Sequence, residues 1–171
     1  TSKCCYITFD DAGNLWGVNE AGQILHFDSS GAIAHTYEGF LSPDTNWGLA
    51  IDQTYIYISD LANKKIKKYT QVTGSLVAEI GEAGGIALTG ITQMAFDPND
   101  NLYVADFWNG RIVVLSKALS VLRTFSIQAD GEVAPHPLAM AFGPDDCLYV
   151  HDRQNNCIKK ISLDDNIVQM I

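Results

Sequence analysis

An acid or an amide closes the same short apolar phrase four times along this chain, and these residues are the first place to look for chemistry. Asn19, Asp60, Asp106 and Asp152 end the phrases "LWGVN", "IYISD", "LYVAD" and "LYVHD". A carboxylate at the end of a strand can accept hydrogen bonds from the backbone amides of the following turn, and an Asn three residues later tolerates the left-handed backbone such turns use. Asp60 with Asn63, Asp106 with Asn109 and Asp152 with Asn155 have that spacing, which assigns them to holding turns rather than to catalysis. The remaining chemistry-bearing residues form no recognisable frame. His26, His35, His136 and His151 are scattered, whereas zinc needs three or four ligands at about 2.0 to 2.3 Å from one atom, so no metal is expected. "DPNDN" from Asp97 has oxygen ligands at alternate places, but it lacks the glycine and the closing acid of a calcium loop, with Trp108 standing where that acid belongs. "GEAGG" at 81–85 is not followed by a helical pattern and fails as a phosphate loop, reading instead as a flexible connection. No Ser-His-Asp set has a frame either, so no catalytic residue and no cofactor are assigned.

The spacing of the phrases says what must position them. Asn19 to Asp60 is 41 residues, and the next two intervals are 46 each, a period that fits a four-stranded propeller blade. In the third copy "TQMAFD" reads as the inner strand, "NLYVAD" as the second, "RIVVLS" as the third and "SVLRTFS" as the outermost. "DPND" and "FWNG" are the hairpin turns between them. "YITFD", "LAID" and "LAMAFG" supply the other inner strands, and no segment sustains a helical period. The expectation is an all-β, four-bladed β-propeller with four antiparallel strands per blade. Its blades fall roughly at 4–46, 47–90, 91–137 and 138–171 of a single domain.

"GITQMAFDPNDNLYVADFWNGRIVVL" resembles the NHL repeat, whose phrase runs apolar, Asp-Pro, Gly-Asn-Leu-Tyr-Val-Ala-Asp, then a turn with Asn and Arg before Ile. The second and fourth copies match less closely, and the first departs furthest, with Asn19 for the Asp and Gly22-Gln23 for the Asn-x-Arg turn. NHL propellers usually have about six blades, so four copies imply a complete four-bladed propeller, a segment of a larger one, or a unit completed by association. Enzymes among NHL-like propellers, such as peptide-amidating lyases and lactonases, gather ligands around the central channel. The equivalent inner-strand positions here are Thr8, Ala50, Ala95 and Ala141, with no His or Glu. A hydrolase or lyase with an axial-channel site is therefore the alternative to a non-catalytic role.

Composition narrows the partners. Hydrophobic residues make up 47% and charged residues 18%, the balance of a compact fold, and no apolar run approaches the roughly 20 residues of a membrane span. A net charge of -9 repels nucleic acid at long range. Lys64, Lys65, Lys67 and Lys68, with Lys159 and Lys160 in a later copy, read as a solvated strand face. The start "TSKCCY" has no initiator Met and no apolar leader, as in a processed or trimmed chain. Four Cys, an even count, point to an oxidising, extracellular or secreted setting and allow three pairings. Strand direction places the start of the first inner strand and the start of the last blade's third strand on one face, and Cys147 on the other. The expected bridge joins Cys4 or Cys5 to Cys157, with four reduced thiols as the alternative.

What remains is surface. Phe107 and Trp108 occupy a turn, and Trp47 and Tyr37 lie near a blade junction; these four aromatic residues are the candidate binding residues. "NIVQMI" ends the chain as an apolar outermost strand, so Ile167, Val168, Met170 and Ile171 form a candidate assembly edge. The sequence thus reads as a non-catalytic extracellular propeller acting in protein interaction or self-assembly, with a protein or a further copy as partner and a ring or filament as the assembly.

Overall fold

Strands form here because apolar and polar residues alternate in short runs bounded by Asp, Asn and Gly turns. The computed structural model describes residues 4–10, 12–38 and 48–171, with the backbone alone for residues 4 and 5. The first blade contains β1 (Cys4–Phe9), β2 (Leu15–Asn19), β3 (Ile24–Phe27) and β4 (Ile33–Tyr37). The second contains β5 (Leu49–Ile51), β6 (Tyr55–Asp60), β7 (Lys65–Thr70) and β8 (Leu76–Ile80). A two-residue hairpin follows, β9 (Glu82–Ala83) and β10 (Ile86–Ala87). The third blade is β11 (Ile91–Phe96), β12 (Leu102–Asp106), β13 (Arg111–Leu115) and β14 (Val121–Ser126), and the fourth β15 (Pro137–Phe142), β16 (Leu148–Asp152), β17 (Cys157–Ile161) and β18 (Ile167–Met170). Each blade is an antiparallel sheet whose strands pair in chain order, so the all-β, propeller-type arrangement of four four-stranded blades is as the sequence reads. No helix among the described residues is long and apolar enough to cross a membrane.

Two connections differ from the sequence reading. "GEAGG" is not a loose link: Gly84 and Gly85, at φ of 61° and 74°, turn the chain so that Ile86 pairs with Ala83. "FWNG" is a single 3-10 turn over Phe107–Asn109, ended by Gly110 in the left-handed region. Only glycine suits that place, because a Cβ there would stand 2.8 Å from the Pro135 carbonyl oxygen.

The chain divides into two compact units, Thr1–Gly81 and Glu82–Ile171, each holding two blades. In the first, Trp16, Val18, Ile24 and Tyr37 of the first blade bury themselves against Leu49, Ile51, Ile56 and Ile58 of the second. Tyr37, a candidate binding residue by sequence, is only 9% exposed and belongs to this core. In the second unit, Tyr103, Ala105, Ile112 and Val114 of the third blade meet Met140, Leu148, Val150 and Ile161 of the fourth. The rule is common to both units. The second strand of the earlier blade offers an aromatic residue and, two places on, a smaller side chain (Trp16 and Val18; Tyr103 and Ala105). The later blade offers the aliphatic residues of the opposite phase (Ile56 and Ile58; Leu148 and Val150). Each blade therefore has a trailing and a leading face, set apart by one residue of register.

Truncation tests where the stability lies. Ile112→Ala, in the core of the second unit, is expected to cost about 2–5 kcal/mol in urea unfolding, while Val168→Ala on the exposed last strand should change stability by less than about 0.5 kcal/mol.

Candidate functional site

The repeated carboxylates sit at the ends of β6, β12 and β16, and all three are buried. Each holds its turn. Asn63 donates from its backbone and side chain to Asp60 at 3.1 and 2.8 Å. The Asn109 side chain donates to Asp106 at 2.8 Å, and the Asn155 side chain to Asp152 at 2.8 Å. Two of them also fix the segment entering their own blade, since Thr89 N donates to Asp106 at 2.9 Å and His136 N to Asp152 at 3.0 Å. The same asparagines reach back to the entering chain, Asn109 to the Ala87 carbonyl and Asn155 to that of Val133.

Each carboxylate has a cation from the third strand: Lys67 at 2.6 Å from Asp60, Arg111 at 2.8 Å from Asp106 and Lys159 at 2.9 Å from Asp152. Reading the lysines as one solvated face is therefore wrong for Lys159, which is fully buried, and for Lys68, which is buried with its ammonium 3.7 Å above the Tyr55 ring. Alternation along β7 and β17 turns Lys67 and Lys159 toward the face that carries the carboxylate, while Lys68 lies on the opposite face of its blade beside Tyr57. Arg111 forks further, to the carbonyls of Ala83 at 2.9 Å and Ile86 at 3.1 Å, and so anchors the β9–β10 hairpin. The first blade runs the same geometry without charge. Asn19 accepts from Ala21 N and Gln23 N at 3.1 and 3.0 Å and donates to the Gln23 side chain at 2.7 Å. An amide in place of the acid leaves no buried carboxylate without a cation.

Lys159 is the most enclosed of these cations. Its ammonium donates to the Ile127 carbonyl at 2.6 Å and pairs with Glu132 as well as Asp152. Burial pushes the Asp152 carboxyl up, but hydrogen bonds from Asn155, Lys159 and the His136 backbone outweigh it and bring the pKa down to about 2. Burial lowers Lys159, and its two carboxylate partners more than reverse this, so its pKa is raised. Glu132, Asp152 and Cys157 place one ligand atom each within 4.8 Å of one another, a spacing a metal could use. Lys159 bonds both carboxylates, so an ammonium already supplies the positive charge there.

The histidines are less scattered than the sequence implies, because His26 and His35 are directly paired across β3 and β4. His26 stacks on Trp16 at 4.3 Å and His35 meets Tyr37 edge-on at 4.3 Å, an arrangement that neither spacing nor motif signals. Cys147 and Cys157 are free thiols, so the bridge expected from Cys4 or Cys5 to Cys157 is not formed in this structure. Their separation follows the strand argument: Asp152 pairs with Cys157 and Leu148 with Ile161, which puts Cys147 and Cys157 at opposite ends of the β16–β17 hairpin.

Among the candidate binding residues, Trp47 lies outside the described residues. Phe107 is buried, with its ring stacked on His136 at 4.7 Å and 28°. Trp108 is 68% exposed. Its indole meets Phe107 edge-on at 4.7 Å and His136 at 5.5 Å. Beneath it lies bare backbone, since a Cβ on Gly90 would come within 2.6 Å of the indole Cδ1. Gly90 O accepts from Phe107 N at 2.9 Å, and His136 is pinned by Asp152, so the buried carboxylates hold a fixed aromatic surface group in place. Such a group can stack on a planar, apolar or cationic side chain. On the last strand, Ile167 packs against the core, while Val168, Met170 and Ile171 are exposed.

An NHL repeat model matches residues 88–115, the third copy of the phrase. No curated protein sequence matches the chain. Among solved structures, a catalytically inactive histidine-to-alanine variant of virginiamycin B lyase from Staphylococcus aureus, crystallised with quinupristin, is 18% identical with a TM-score of 0.77, over 100% of this chain and 56% of that one. A streptogramin B lyase gives 17% and 0.77 over 99% and 54%. A protein of unknown function from Bacteroides caccae gives 12% and 0.66 over 99% and 61%. The chain thus spans just over half the length of the lyases it is similar to, and at these identities the likeness is one of fold.

The buried pairs set two expectations. Asp106→Ala strands the Arg111 guanidinium without its carboxylate and should cost about 3–5 kcal/mol in chemical denaturation. Because the folded pKa of Asp152 lies below its ordinary value of 3.8, its stabilisation is complete above about pH 4 and drains away as the pH falls toward 2. Melting temperatures between pH 5 and 2 should fall less steeply in Asp152→Asn than in the wild type.

Proposed function

We propose that this protein is a non-catalytic, secreted propeller that acts by binding proteins, further copies of itself included, with Trp108 as the anchor of a binding surface. One observation carries this reading. The turn position of Trp108 holds Ala21, Ala62 and Gln154 in the other copies, and those turns are held by the same acid or amide hydrogen bonds. The indole is therefore not needed to make the turn, yet it is seated rigidly on glycine backbone with most of its surface open to solvent. Rigid exposed aromatics of this kind become the centre of interfaces, because little conformational freedom is lost when they are covered. The net charge of -9 favours a partner with a basic rim around its apolar contact. Secretion rests on the even cysteine count alone.

The likeness in fold to the streptogramin lyases makes a lyase or hydrolase the second reading. Incubation with quinupristin followed by chromatography tests it, and a time-dependent product that needs the folded protein would favour it over the binding reading.

For the binding reading, wild type and Trp108→Ala are compared as immobilised baits for secreted proteins, with quantitative mass spectrometry as the readout. Retention of a specific protein should drop at least about tenfold with the variant, a hot-spot loss of 1.4 kcal/mol or more, while its melting temperature stays near that of the wild type. Equal retention by both baits would remove Trp108 from the function.

A further inference from the structure

The face of the first blade that carries Trp16 ends in two histidines. Cross-strand partners share a side of the sheet, and the register sets this face in two rows: Tyr6, Val18, Ile24 and Tyr37, then Thr8, Trp16, His26 and His35. The first row packs into the core that this blade shares with the second. Along the other row burial falls off toward the outer strand, since Trp16 is 1% exposed, His26 half-buried and His35 exposed. The histidine pair therefore stands on β3 and β4 at the margin of that core, with one ring against Trp16 and its neighbour open to solvent.

Stacking alone does not account for a histidine at position 26. Its ring lies nearly parallel to the Trp16 indole, at 14° and 4.3 Å, a contact that an apolar ring would also make. A histidine adds a polar nitrogen, and here Nε2 is enclosed with no hydrogen-bond partner among the described residues. Buried polar atoms are nearly always bonded, and one that is not calls for a partner of another kind, such as an ion. With the ring proton on Nδ1, the Nε2 lone pair is free to coordinate. Directly across the strand pair His35 offers a second imidazole, edge-on to Tyr37 at 4.3 Å. Residues in this relation have Cβ atoms about 4.5–5.5 Å apart, so two imidazoles can meet on one ion at a metal–nitrogen distance of about 2.0–2.1 Å.

We infer that His26 and His35 form a two-imidazole site for a divalent late transition-metal ion, of the Ni2+ or Cu2+ kind, which clips the outermost strand of the first blade to its neighbour. Imidazole suits these ions, whereas Mg2+ and Ca2+ take oxygen ligands. Among the described residues, the only group of three or more His, Cys, Asp or Glu with closely gathered ligand atoms is Glu132, Asp152 and Cys157. The histidine site thus keeps positions open to water, unlike the closed four-ligand sites of structural zinc, and its ion is exchangeable. The two ligands sit on strands already paired, so little order is lost when the ion binds. A net charge of -9 raises the concentration of cations near the surface. The site belongs to the first unit and does not depend on the Trp108 surface, which belongs to the second.

The test is isothermal titration calorimetry of the whole chain with Ni2+, a probe that suits imidazole and limits competition from Cys147 and Cys157. Wild type and His151→Thr should bind one ion with equal affinity, while His35→Thr and His26→Gln should each weaken binding at least about tenfold. His35 is exposed and threonine suits a strand, so without Ni2+ the His35→Thr variant should melt near the wild type. Added Ni2+ should raise the melting temperature of the wild type but not of His35→Thr, and Mg2+ should raise neither. Labelling of the wild type with diethyl pyrocarbonate, read by peptide mass spectrometry, locates the ion without any substitution: Ni2+ should protect His35 and leave His151 reactive. No binding up to about 1 mM Ni2+ overturns the inference. Binding that His35→Thr leaves intact, or protection that falls on another histidine instead, overturns it equally.

Discussion

The structure depends on a buried carboxylate that must be neutralised where the second strand of a blade ends. A carboxylate there accepts more donors than a hydroxyl could, and it ties together the turn ahead, the third strand alongside and, in the third and fourth blades, the chain entering the blade. That connectivity has a condition, since an ion without a partner in a packed interior is strongly unfavourable. Lys67, Arg111 and Lys159 meet the condition in three blades. In the first, where Gln23 is the partner, the acid is an amide and the condition does not arise. The departure of the first copy from the repeat phrase is in this sense a matched pair of changes.

The same hub gives the surface its rigidity. Asp152 fixes the His136 backbone, His136 stacks on Phe107, and Phe107 supports Trp108 over Gly90. A side chain with a large exposed area is thus held by interactions that are themselves buried. The stability of the fold and the placing of this aromatic group are linked through residues that do not touch the solvent, and a change at Asp152 reaches the aromatic surface through the backbone it holds.

Period-two alternation does the rest. Within each unit it sorts aromatic and small residues onto one face of a blade and aliphatic residues onto the other, so that successive blades are complementary rather than identical. It also explains why a lysine in a basic stretch can be buried while its neighbour is exposed, as with Lys159 and Ile158 on β17. Composition alone gives no sign of this, because a run such as "IKKI" is read correctly only once the strand's facing is known.

The repeat, its period and its turn residues were enough to set the strand content, the order of strands within each blade and the role of spacing in pairs such as Asp106 and Asn109, because these depend on contacts a few residues apart. The opposite ends assigned to Cys147 and Cys157 followed from strand direction for the same reason. Tertiary structure decided which residues face what. It enclosed Tyr37 and Phe107, left Trp108 outside, paired His26 with His35, gave each buried Asp its cation and left Cys157 a free thiol. Those outcomes depend on the phase of each strand relative to the blade packed against it, and one residue of register reverses them without altering the sequence pattern from which the strand is read.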